Sequence, residues 1–334
     1  MKTLYFDWAA TTPTSRKVMR AMKPYFSKYF GNPSSTHREG IRSRMAVEKA
    51  RETIADCLGC FPDEIFFTSG ASEGNSLVAN NFSLVYNEGA VHDSISMACK
   101  NNNFRRQALC YTLMNSETGL EESLSAIASN SKHFFVHVDL TQYLAHYPID
   151  LKEMNITTAT FSAHKFGGPK GVGCLYIARD AQKYITPLIY GHQEESLRGG
   201  TLNVPGIVGM AVALKDTMKH FNRRNKRVKI FSCYIASKIK SKGQWFMAMN
   251  GIITFAFKKL DSQTAVRILS NYGVCVSSGS ACNSGSDEPS KAYLALMGEE
   301  IADKVIRISV SYKNTKRDVK KLCKIMCKVI ELYD

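Results

Sequence analysis

The sequence predicts an α/β fold built around a mainly parallel sheet, and three observations support this prediction. Apolar, β-rich segments alternate with helical patterns through the first two thirds of the chain. Several of the apolar segments end abruptly in small or polar residues, and a glycine follows the longest helical pattern of this region. Alternating strands and helices are typical of parallel sheets, whose ligand sites lie beyond the carboxyl ends of the strands.

The individual elements follow from these patterns. Residues 38–58 have the pattern of a helix, and Gly59 is its expected stop signal. Residues 64–68, 134–138 and 156–161 are predicted strands, which end at Ser69, at Asp139 and near Lys165. A further apolar stretch, residues 245–257, is too short to cross a membrane and is predicted to form a buried strand. The polar residues at the strand ends are therefore candidates for a functional site.

Length and composition agree with a globular enzyme that has a large and a smaller domain. The chain has 334 residues, of which 44% are hydrophobic and 22% are charged. It shows no apolar run of membrane-spanning length and no secretory signal, so a cytoplasmic location is expected. The ten cysteines are scattered, as in a reducing compartment. The pairs Cys57 with Cys60 and Cys323 with Cys327 are expected to be buried hydrophobes, so no metal site is predicted.

The positive charge is concentrated in the last third of the chain. Residues 219–334 hold 22 basic and 9 acidic residues, a net charge of +13, whereas residues 1–218 hold 22 and 20, a net charge of +2. Residues 223–227 and 313–328 are the basic clusters, and in the second one apolar residues recur at helical spacing opposite the lysines. This pattern indicates either a solvated helix face or a docking surface for an acidic protein or RNA. No RNA-binding motif supports the last alternative, so direct nucleic-acid binding is not expected.

Lys165 is the first candidate for chemistry. It follows a buried strand and precedes a glycine-rich turn, within residues 162–171. A buried lysine has a lowered pKa and can form a Schiff base, and the glycines would let the backbone approach a bound group closely. A nucleotide-binding P-loop is excluded because the Gly-Lys-Ser/Thr ending is absent. A purely structural loop is the alternative.

Two further strand ends carry candidate ligands. Asp139 ends a hydrophobic strand, where it could cap a helix or pair with a protonated pyridine nitrogen. Residues 68–75 form a strand-to-helix turn of small residues, in which Gly70, Ala71 and Ser72 could cup a phosphate. An ordinary capped helix start is the alternative for this turn.

Cys282 lies in residues 277–286, where every residue except Asn283 is small. Such a segment is expected to be mobile. Structural cysteines are usually buried in regular elements, so a cysteine on a mobile loop favours a reactive role.

Together these motifs resemble one family, the cysteine desulfurases of the NifS/IscS-like branch of the class-V aminotransferases. The resemblance runs through most of the chain and includes, in order, residues 7–13, 31–37, 68–73, 137–142, 162–173, 197–205, 277–284 and 306–309. It implies a fold-type-I pyridoxal-phosphate transferase that removes sulfur from L-cysteine. The products would be L-alanine and a persulfide on Cys282, whose sulfur passes to an acceptor for iron–sulfur cluster assembly or tRNA thiolation.

The resemblance also implies a role for each matching residue. Lys165, His92 and Cys282 would be catalytic, with Lys165 holding the cofactor and moving the substrate proton, and His92 stacking on the cofactor ring. Asn32 and Arg307 would bind the substrate carboxylate. The cofactor-binding residues would be Lys165, Asp139, Gln142, Ser72, Ala71, Ser162, His164, Thr201 and Ser116. Thr201 would reach the phosphate of a partner subunit, which implies a homodimer.

The resemblance further implies a large cofactor-binding domain over residues 12–218. Residues 1–11 and 219–334 would form a smaller α/β domain that carries the cysteine loop. The chain departs from the family in two ways: it is shorter around His92, between His92 and Asn115, and around residues 225–265, and Ser116 replaces the second asparagine of a family motif. These departures leave open a weakly active or inactive relative that acts through partner binding. A selenocysteine lyase or an aminotransferase on the same fold is the other alternative, although transamination needs no mobile cysteine.

Overall fold

The computed structural model describes residues 3–101, 106–279 and 289–334. Eleven strands are found in this part of the chain: β1 (Leu4–Tyr5), β2 (Ile65–Thr68), β3 (Ser83–Val85), β4 (Gln107–Thr112), β5 (Phe135–Asp139), β6 (Thr158–Ser162), β7 (Gly173–Ile177), β8 (Trp245–Met249), β9 (Ile252–Ala256), β10 (Val274–Cys275) and β11 (Val305–Ser309).

The α-helices of the same ranges are α1 (Arg16–Met22), α2 (Pro24–Ser27), α3 (Arg38–Leu58), α4 (Ala71–Ala79), α5 (Asp93–Ser96), α6 (Leu124–Asn130), α7 (Val204–Ile239), α8 (Ser262–Asn271), α9 (Lys291–Met297), α10 (Glu299–Ala302) and α11 (Lys316–Tyr333). The predicted helix over residues 38–58 is confirmed as α3. Gly59 ends it in the left-handed region at φ +66°, and its N–H bonds to the carbonyl of Ala55.

The large sheet has the strand order β2-β7-β6-β5-β4-β3. Strands β3 to β6 pair in parallel, and only β7 runs antiparallel to its two neighbours β2 and β6. The predicted mainly parallel sheet is therefore confirmed, and the three predicted strands are present as β2, β5 and β6. Because parallel strands end at one edge of a sheet, Thr112, Asp139 and Ser162 lie near one another.

Both faces of the large sheet are buried. Alternate residues of one strand point to opposite faces, so Phe67 joins a core with α1, α3 and the first half of α7, while Phe66 packs with α4. Helix α3 buries Val47, Ile54 and Leu58 in the first of these cores. Burial of each such side chain stabilises the fold by roughly 1.5–3 kcal/mol.

A second, smaller sheet has the antiparallel order β11-β9-β8 and forms a separate core with the second half of α7, α8 and α11. Leu4 and Phe6 pack into this core, and β1 pairs with β10. Helix α7 contributes buried side chains to the large core as far as Leu214, with Met218 packed against it, and to the small core from Val228. The division of the chain at residue 218 falls inside this helix, and the proposed domain limits stay a prediction.

The prediction of one strand over residues 245–257 is wrong, because this stretch forms the β8–β9 hairpin. Asn250 and Gly251 lie at its turn with φ angles of +51° and +80°. Two consecutive residues at positive φ make the tight turn that fits the twist of two antiparallel strands, and Asn-Gly is the preferred pair for it. The apolar run is therefore folded back on itself.

The crossover between β3 and β4 is short. In the part that the structure describes, it contains α5, which has four residues, and one turn of 3₁₀-helix. No α-helix of the described ranges is long and apolar enough to cross a membrane.

Candidate active site

A cavity of about 210 Å³ lies at the carboxyl ends of β4, β5 and β6. Its walls also include the start of α4, the segment before α5 and one residue of β11. Ten of the predicted site residues line it: Ala71, Ser72, His92, Ser116, Asp139, Gln142, Ser162, His164, Lys165 and Arg307. Residues that are up to 236 positions apart, from Ala71 to Arg307, therefore meet in one place.

Lys165 reaches the cavity because a single 3₁₀ turn follows the end of β6. Its ammonium group donates hydrogen bonds to the carbonyls of Ala9 and Ala10, the second at 3.2 Å. The turn needs Gly168, because a Cβ atom at this position would lie 2.7 Å from the Cβ of Ala163. The N-terminal segment and the large sheet together hold the amine at the cavity wall.

Asp139 is the last residue of β5 and is only 4% exposed. Its Oδ1 atom accepts a hydrogen bond from the backbone N–H of Thr141 at 2.9 Å. Its Oδ2 atom accepts one from the side-chain amide of Asn75 at 3.0 Å. Two donors hold the carboxylate in one orientation, which suits a group that must face a cationic ring nitrogen. Asn75, which lies fully buried in α4, was not among the site residues predicted from the sequence.

The turn before α4 has the geometry of an anion cup. Gly70 is the N-cap of this nine-residue helix, and the N–H of Ala71 donates to Ser162 Oγ at 2.7 Å. A Cβ atom on Gly173 would lie 2.6 Å from the Cα of Gly70, so the two glycines allow β7 and the turn to touch. Backbone N–H groups at a helix start bind phosphate, and Ser72 and Ser162 add hydroxyl groups beside them.

His164 lies next to this cup and is neutral at physiological pH. Its Nδ1 atom lies 3.1 Å from Thr11 Oγ1. Burial, followed by the positive charges of Lys165 and Lys170, lowers the pKa of its ring to about 4. The ring therefore takes part in hydrogen bonds rather than in charge pairing.

Arg307 also lines the cavity and comes from β11 in the small sheet. Its side chain is 1% exposed. Its Nη1 group donates to the carbonyl of Ser116 at 3.0 Å, and its Nη2 group donates to Asp7 Oδ1 at 2.8 Å. Its Nε group has no hydrogen-bond partner in the described part of the protein. The guanidinium is thus fixed by two partners and keeps a donor that an anionic ligand can use.

Glu117 lies beside Arg307 in the same wall. Burial raises the pKa of its carboxyl group, against the opposing effects of Ser290 and Arg307. Asn115 shapes this turn, since its Oδ1 atom accepts from the N–H groups of Glu117 and Thr118 at 2.9 and 3.0 Å. The same asparagine donates to the carbonyl of Ala90 at 3.3 Å and so joins the turn to the segment that carries His92.

The polar atoms that lack partners test whether this cavity fits pyridoxal phosphate, the cofactor that the resemblance implies. Within the described ranges, buried side-chain atoms without hydrogen-bond partners include five from residues of this cavity, namely Thr112 Oγ1, Glu117 Oε2, Thr141 Oγ1, Gln142 Oε1 and Arg307 Nε. Unpaired buried polar atoms are costly unless a ligand or water satisfies them. The residues therefore fit the cofactor, because its polar groups match the lysine, the oriented carboxylate, the anion cup and these unpaired atoms.

Two predicted residues of the described ranges, Asn32 and Thr201, do not line the cavity. Asn32 is exposed, and its Oδ1 atom accepts from the N–H of Ser34 in its own turn. Thr201 is also exposed and outside the lining residues. Cys282 lies outside the residues that the structure describes. Its predicted role therefore stays a prediction.

The two predicted basic clusters differ in their contacts with the rest of the protein. In residues 223–227, Arg224 pairs with Asp216 and stacks on Tyr312, while Arg227 donates to the carbonyl of Asn314 at 2.9 Å. These arginines join α7 to the small core. In α11, by contrast, the predicted amphipathic pattern is confirmed: the basic residues are exposed, and Val319, Leu322 and Met326 are buried. The described residues contain no cluster of three or more side chains that could hold a metal ion.

Comparison with known proteins gives consistent results. The family model described as aminotransferase class-V matches residues 4–95 and 95–322. The cysteine desulfurase IscS of Dictyoglomus turgidum is 31% identical over 374 aligned positions, which cover 98% of this chain and 94% of that protein. The alignment is longer than the 334 residues of this chain, in agreement with the shortening that the sequence indicates.

Solved structures are similar over almost the whole chain. A NifS-like protein superposes with a TM-score of 0.87 at 28% identity, covering 99% of both chains. A structure described as SspA in complex with cysteine superposes with a TM-score of 0.77 at 28% identity, covering 93% of this chain and 99% of that one.

Proposed function

This chain belongs to the class-V aminotransferase family, whose members depend on pyridoxal phosphate, and on that premise we propose that it is a cysteine desulfurase. The single observation that carries the proposal is the cavity in which Lys165, Asp139, the anion cup before α4 and Arg307 meet. Each of these groups suits one part of the cofactor or of an amino-acid substrate.

The cofactor would be held by residues of the large sheet. Lys165 would bind it covalently, and Asp139 would face its ring nitrogen and favour the protonated form of that nitrogen. Gln142 would use its unpaired amide oxygen near the ring, and Ser116, which lines the same cavity, would also contact the cofactor. Ala71, Ser72, Ser162 and His164 would hold the phosphate through the helix start and their side chains. Bound pyridoxal phosphate withdraws electrons from the α-carbon of an attached amino acid.

L-Cysteine would enter with its carboxylate toward Arg307. The guanidinium carries a free Nε–H donor, and arginine is the side chain best suited to bind a carboxylate. Asn32 would need to approach from outside the cavity that one protomer forms, because its side chain is exposed and turned into its own loop. Lys165 would take the proton from the substrate α-carbon, and His92, which lines the same cavity, would be the second proton carrier.

Sulfur would pass to Cys282 in a step that balances without an external oxidant. The thiol of Cys282 and free L-cysteine give a persulfide on Cys282 and L-alanine, because the carbon–sulfur bond of the substrate breaks as the sulfur–sulfur bond forms. The thiolate of Cys282 would be the nucleophile. The described ends of this loop, Gly279 and Ser290, lie at the cavity, since a Cβ atom on Gly279 would be 3.6 Å from Glu117 Oε2 and Ser290 lines the wall.

A homodimer would complete the site, with Thr201 reaching the phosphate of the partner subunit. The segment before Thr201 is held firmly. Glu194 is buried, accepts from the N–H of Phe67 at 2.7 Å and pairs with Arg51 at 2.7 Å. Arg198 pairs with Glu73 at the start of α4, at 2.8 Å. These contacts support the proposal because they fix the backbone that would present Thr201.

The sulfur acceptor would be an acidic carrier protein, such as an iron–sulfur scaffold or a tRNA-thiolation enzyme. The exposed face of α11 supports this proposal through its charge. The basic face consists of Lys316, Arg317, Lys320, Lys321, Lys324 and Lys328. A concentrated positive surface accelerates encounter with an acidic partner and loses this effect at high salt.

Two assays test the proposal. Alanine formation from L-cysteine with a chemical reductant measures the desulfurase reaction, and Cys282→Ser should abolish it while leaving cofactor binding intact. A variant that still forms alanine with sulfide at the normal rate would exclude Cys282 as the nucleophile.

Reversal of charge at Lys320, Lys321 and Lys324 should slow sulfur transfer to an acidic acceptor by about tenfold at low salt, with alanine formation unchanged. Equal loss of both activities would show a folding defect instead.

A further inference from the structure

We infer that Asn75 is a positioning residue that joins Asp139 to His92 through Ser94, so that the cofactor-facing carboxylate and the histidine ring are held by one amide. The inference concerns the same cavity and therefore deepens the proposed function. The hydrogen-bond path itself does not depend on that function.

The amide group of Asn75 uses its donors and its acceptor at once. Its Nδ2 atom lies 3.0 Å from Asp139 Oδ2 and 2.9 Å from Ser94 Oγ, and its Oδ1 atom lies 2.9 Å from His137 Nε2. Asn75 is 0% exposed. The two hydrogens of Nδ2 and the carbonyl oxygen thus have three different partners, two from β5 and one from α5.

Chemistry fixes the orientation of this amide. An ionised carboxylate only accepts hydrogen bonds, so the nitrogen of Asn75 and not its oxygen must face Asp139. The oxygen then faces His137, whose Nε2 atom must carry a proton in order to donate. Burial lowers the pKa of His137 to about 4, so this ring is neutral at physiological pH and its single proton lies on Nε2. The hydrogen bond from His137 Nε2 therefore fixes the orientation of the Asn75 amide.

The path continues from Asn75 to the ring of His92. Because Ser94 Oγ accepts from Asn75, its own hydrogen is available to His92 Nδ1, which lies 2.9 Å away. The backbone N–H of Ser94 donates to the same Nδ1 atom at 3.1 Å. An atom that accepts two hydrogen bonds carries no proton, so the neutral ring of His92 has its proton on Nε2. The path fixes both the position and the tautomer of the ring.

Asn75 therefore couples two groups, Asp139 and His92, that have different roles in the proposed reaction. Asp139 sets the protonation of the cofactor ring nitrogen, and His92 is the proposed second proton carrier. Loss of the Asn75 amide should disturb both, although neither residue is changed. Loss of the Ser94 hydroxyl should disturb His92 alone, since the bond from Asn75 to Asp139 would remain.

The test compares Asn75→Ala and Ser94→Ala with the wild-type protein loaded with pyridoxal phosphate. Cofactor dissociation constants come from absorbance titration, and the His92 ring is observed by ¹⁵N NMR of histidine-labelled protein. Asn75→Ala should raise the dissociation constant about tenfold, the effect of one hydrogen bond to a charged group, and should shift the ring nitrogen signals of His92. Ser94→Ala should shift the His92 signals and leave the dissociation constant within about twofold.

Asn80→Ala is the matched control, because Asn80 caps the end of the same helix with a side chain that bonds to the carbonyl of Ser76 outside the cavity. It should lower stability without changing either readout. The inference is overturned if wild-type His92 carries its proton on Nδ1, if Asn75→Ala leaves the His92 signals unchanged, or if both variants weaken the cofactor equally. A wild-type protein that binds no pyridoxal phosphate would instead reject the proposed function, and the ring signals of the ligand-free protein would still decide the path.

Discussion

The two walls of the cavity differ in how their polar atoms are satisfied. In the wall formed by Asp139, Asn75 and His92, the carboxylate and the amide have protein partners at 2.9–3.0 Å. In the wall formed by Arg307 and Glu117, each side chain has one buried polar atom without a partner. The carboxylate of Asp139 and the amide of Asn75 thus have partners before any ligand binds, whereas Arg307 and Glu117 each keep one polar atom for a ligand.

The origin of the walls explains this difference. Asp139 ends β5 of the large sheet, and Asn75 lies in α4, which packs on one face of the same sheet. Arg307 comes from the small sheet and meets the turn of Glu117 from the large one. A wall assembled from two sheets can adjust to a substrate, whereas a wall built on one sheet orients a cofactor in advance. Substitutions at four residues test this comparison, in decreasing order of expected effect.

Asp139→Ala should have the largest effect, which is a loss of cofactor affinity in the first wall. Removal of one partner from a buried charged pair costs about 3–5 kcal/mol, and the carboxylate is the group that would pair with the cofactor ring nitrogen. We expect the dissociation constant for pyridoxal phosphate, measured by absorbance titration, to rise by roughly two to three orders of magnitude. Asp180→Ala, at an exposed position, is the control and should change nothing. A change of less than about threefold in the first variant would show that Asp139 only caps its turn.

Arg307→Lys should affect the substrate and spare the cofactor. Lysine keeps the positive charge and loses the planar fork that binds a carboxylate through two donors. We expect the KM for L-cysteine to rise roughly 10- to 100-fold with a smaller change in kcat. Arg179→Lys, which alters an exposed pair with Asp63, serves as the control. If cofactor affinity falls as much as substrate affinity, the two walls do not have separate roles.

Ser116 stands where the resemblance to the family leads us to expect an asparagine. Its carbonyl accepts from Arg307, and its side chain lines the cavity. Ser116→Asn restores the longer amide of the family motif and should tighten cofactor binding by about two- to fivefold, the value of one added hydrogen bond. Ser116→Ala should weaken binding by a similar or smaller factor. Unchanged dissociation constants in both variants would mean that this position does not contact the cofactor.

Glu117 gives the smallest effect, which depends on pH. Its pKa is raised in the folded protein by burial. The protonated Glu117 carboxyl group therefore makes its full contribution to the free energy of unfolding at a pH below the pKa that it has in the unfolded chain. This contribution is lost as the pH rises through the raised pKa of the folded state. Glu117→Gln removes this ionisation, so its Tm should equal that of the wild type near pH 4 and exceed it by about 1–3 °C at pH 8. A difference that is the same at both pH values would contradict the assignment.

Much of the fold was predictable because the signals are local. Gly59 ends α3 through its own freedom at positive φ, and the apolar pattern of α11 decides which face is buried. The misassigned hairpin at residues 245–257 also carried a local signal, the pair Asn250 and Gly251, although the continuous apolar run outweighed it. The positions of Lys165 and Asp139 at strand ends followed from the same kind of pattern.

The parts that could not be predicted depend on contacts between distant residues. The pairing of Arg307 with Asp7 joins residues 300 positions apart, and no periodicity marks either one. Asn75 lies in an ordinary helical segment, and its role appears only when His137 and Ser94 fold against it. The family motifs located most of the cavity residues, and the hydrogen bonds that orient them required the folded chain.

The most direct test of the central proposal is to follow one sulfur atom. The purified protein, loaded with pyridoxal phosphate, is treated with a single equivalent of L-cysteine, after which alanine is quantified and the protein is digested for mass spectrometry. We predict one alanine per active site and one added sulfur atom on the peptide that contains Cys282. Formation of pyruvate or a transaminated product, or alanine without sulfur on Cys282, would contradict the assignment as a cysteine desulfurase.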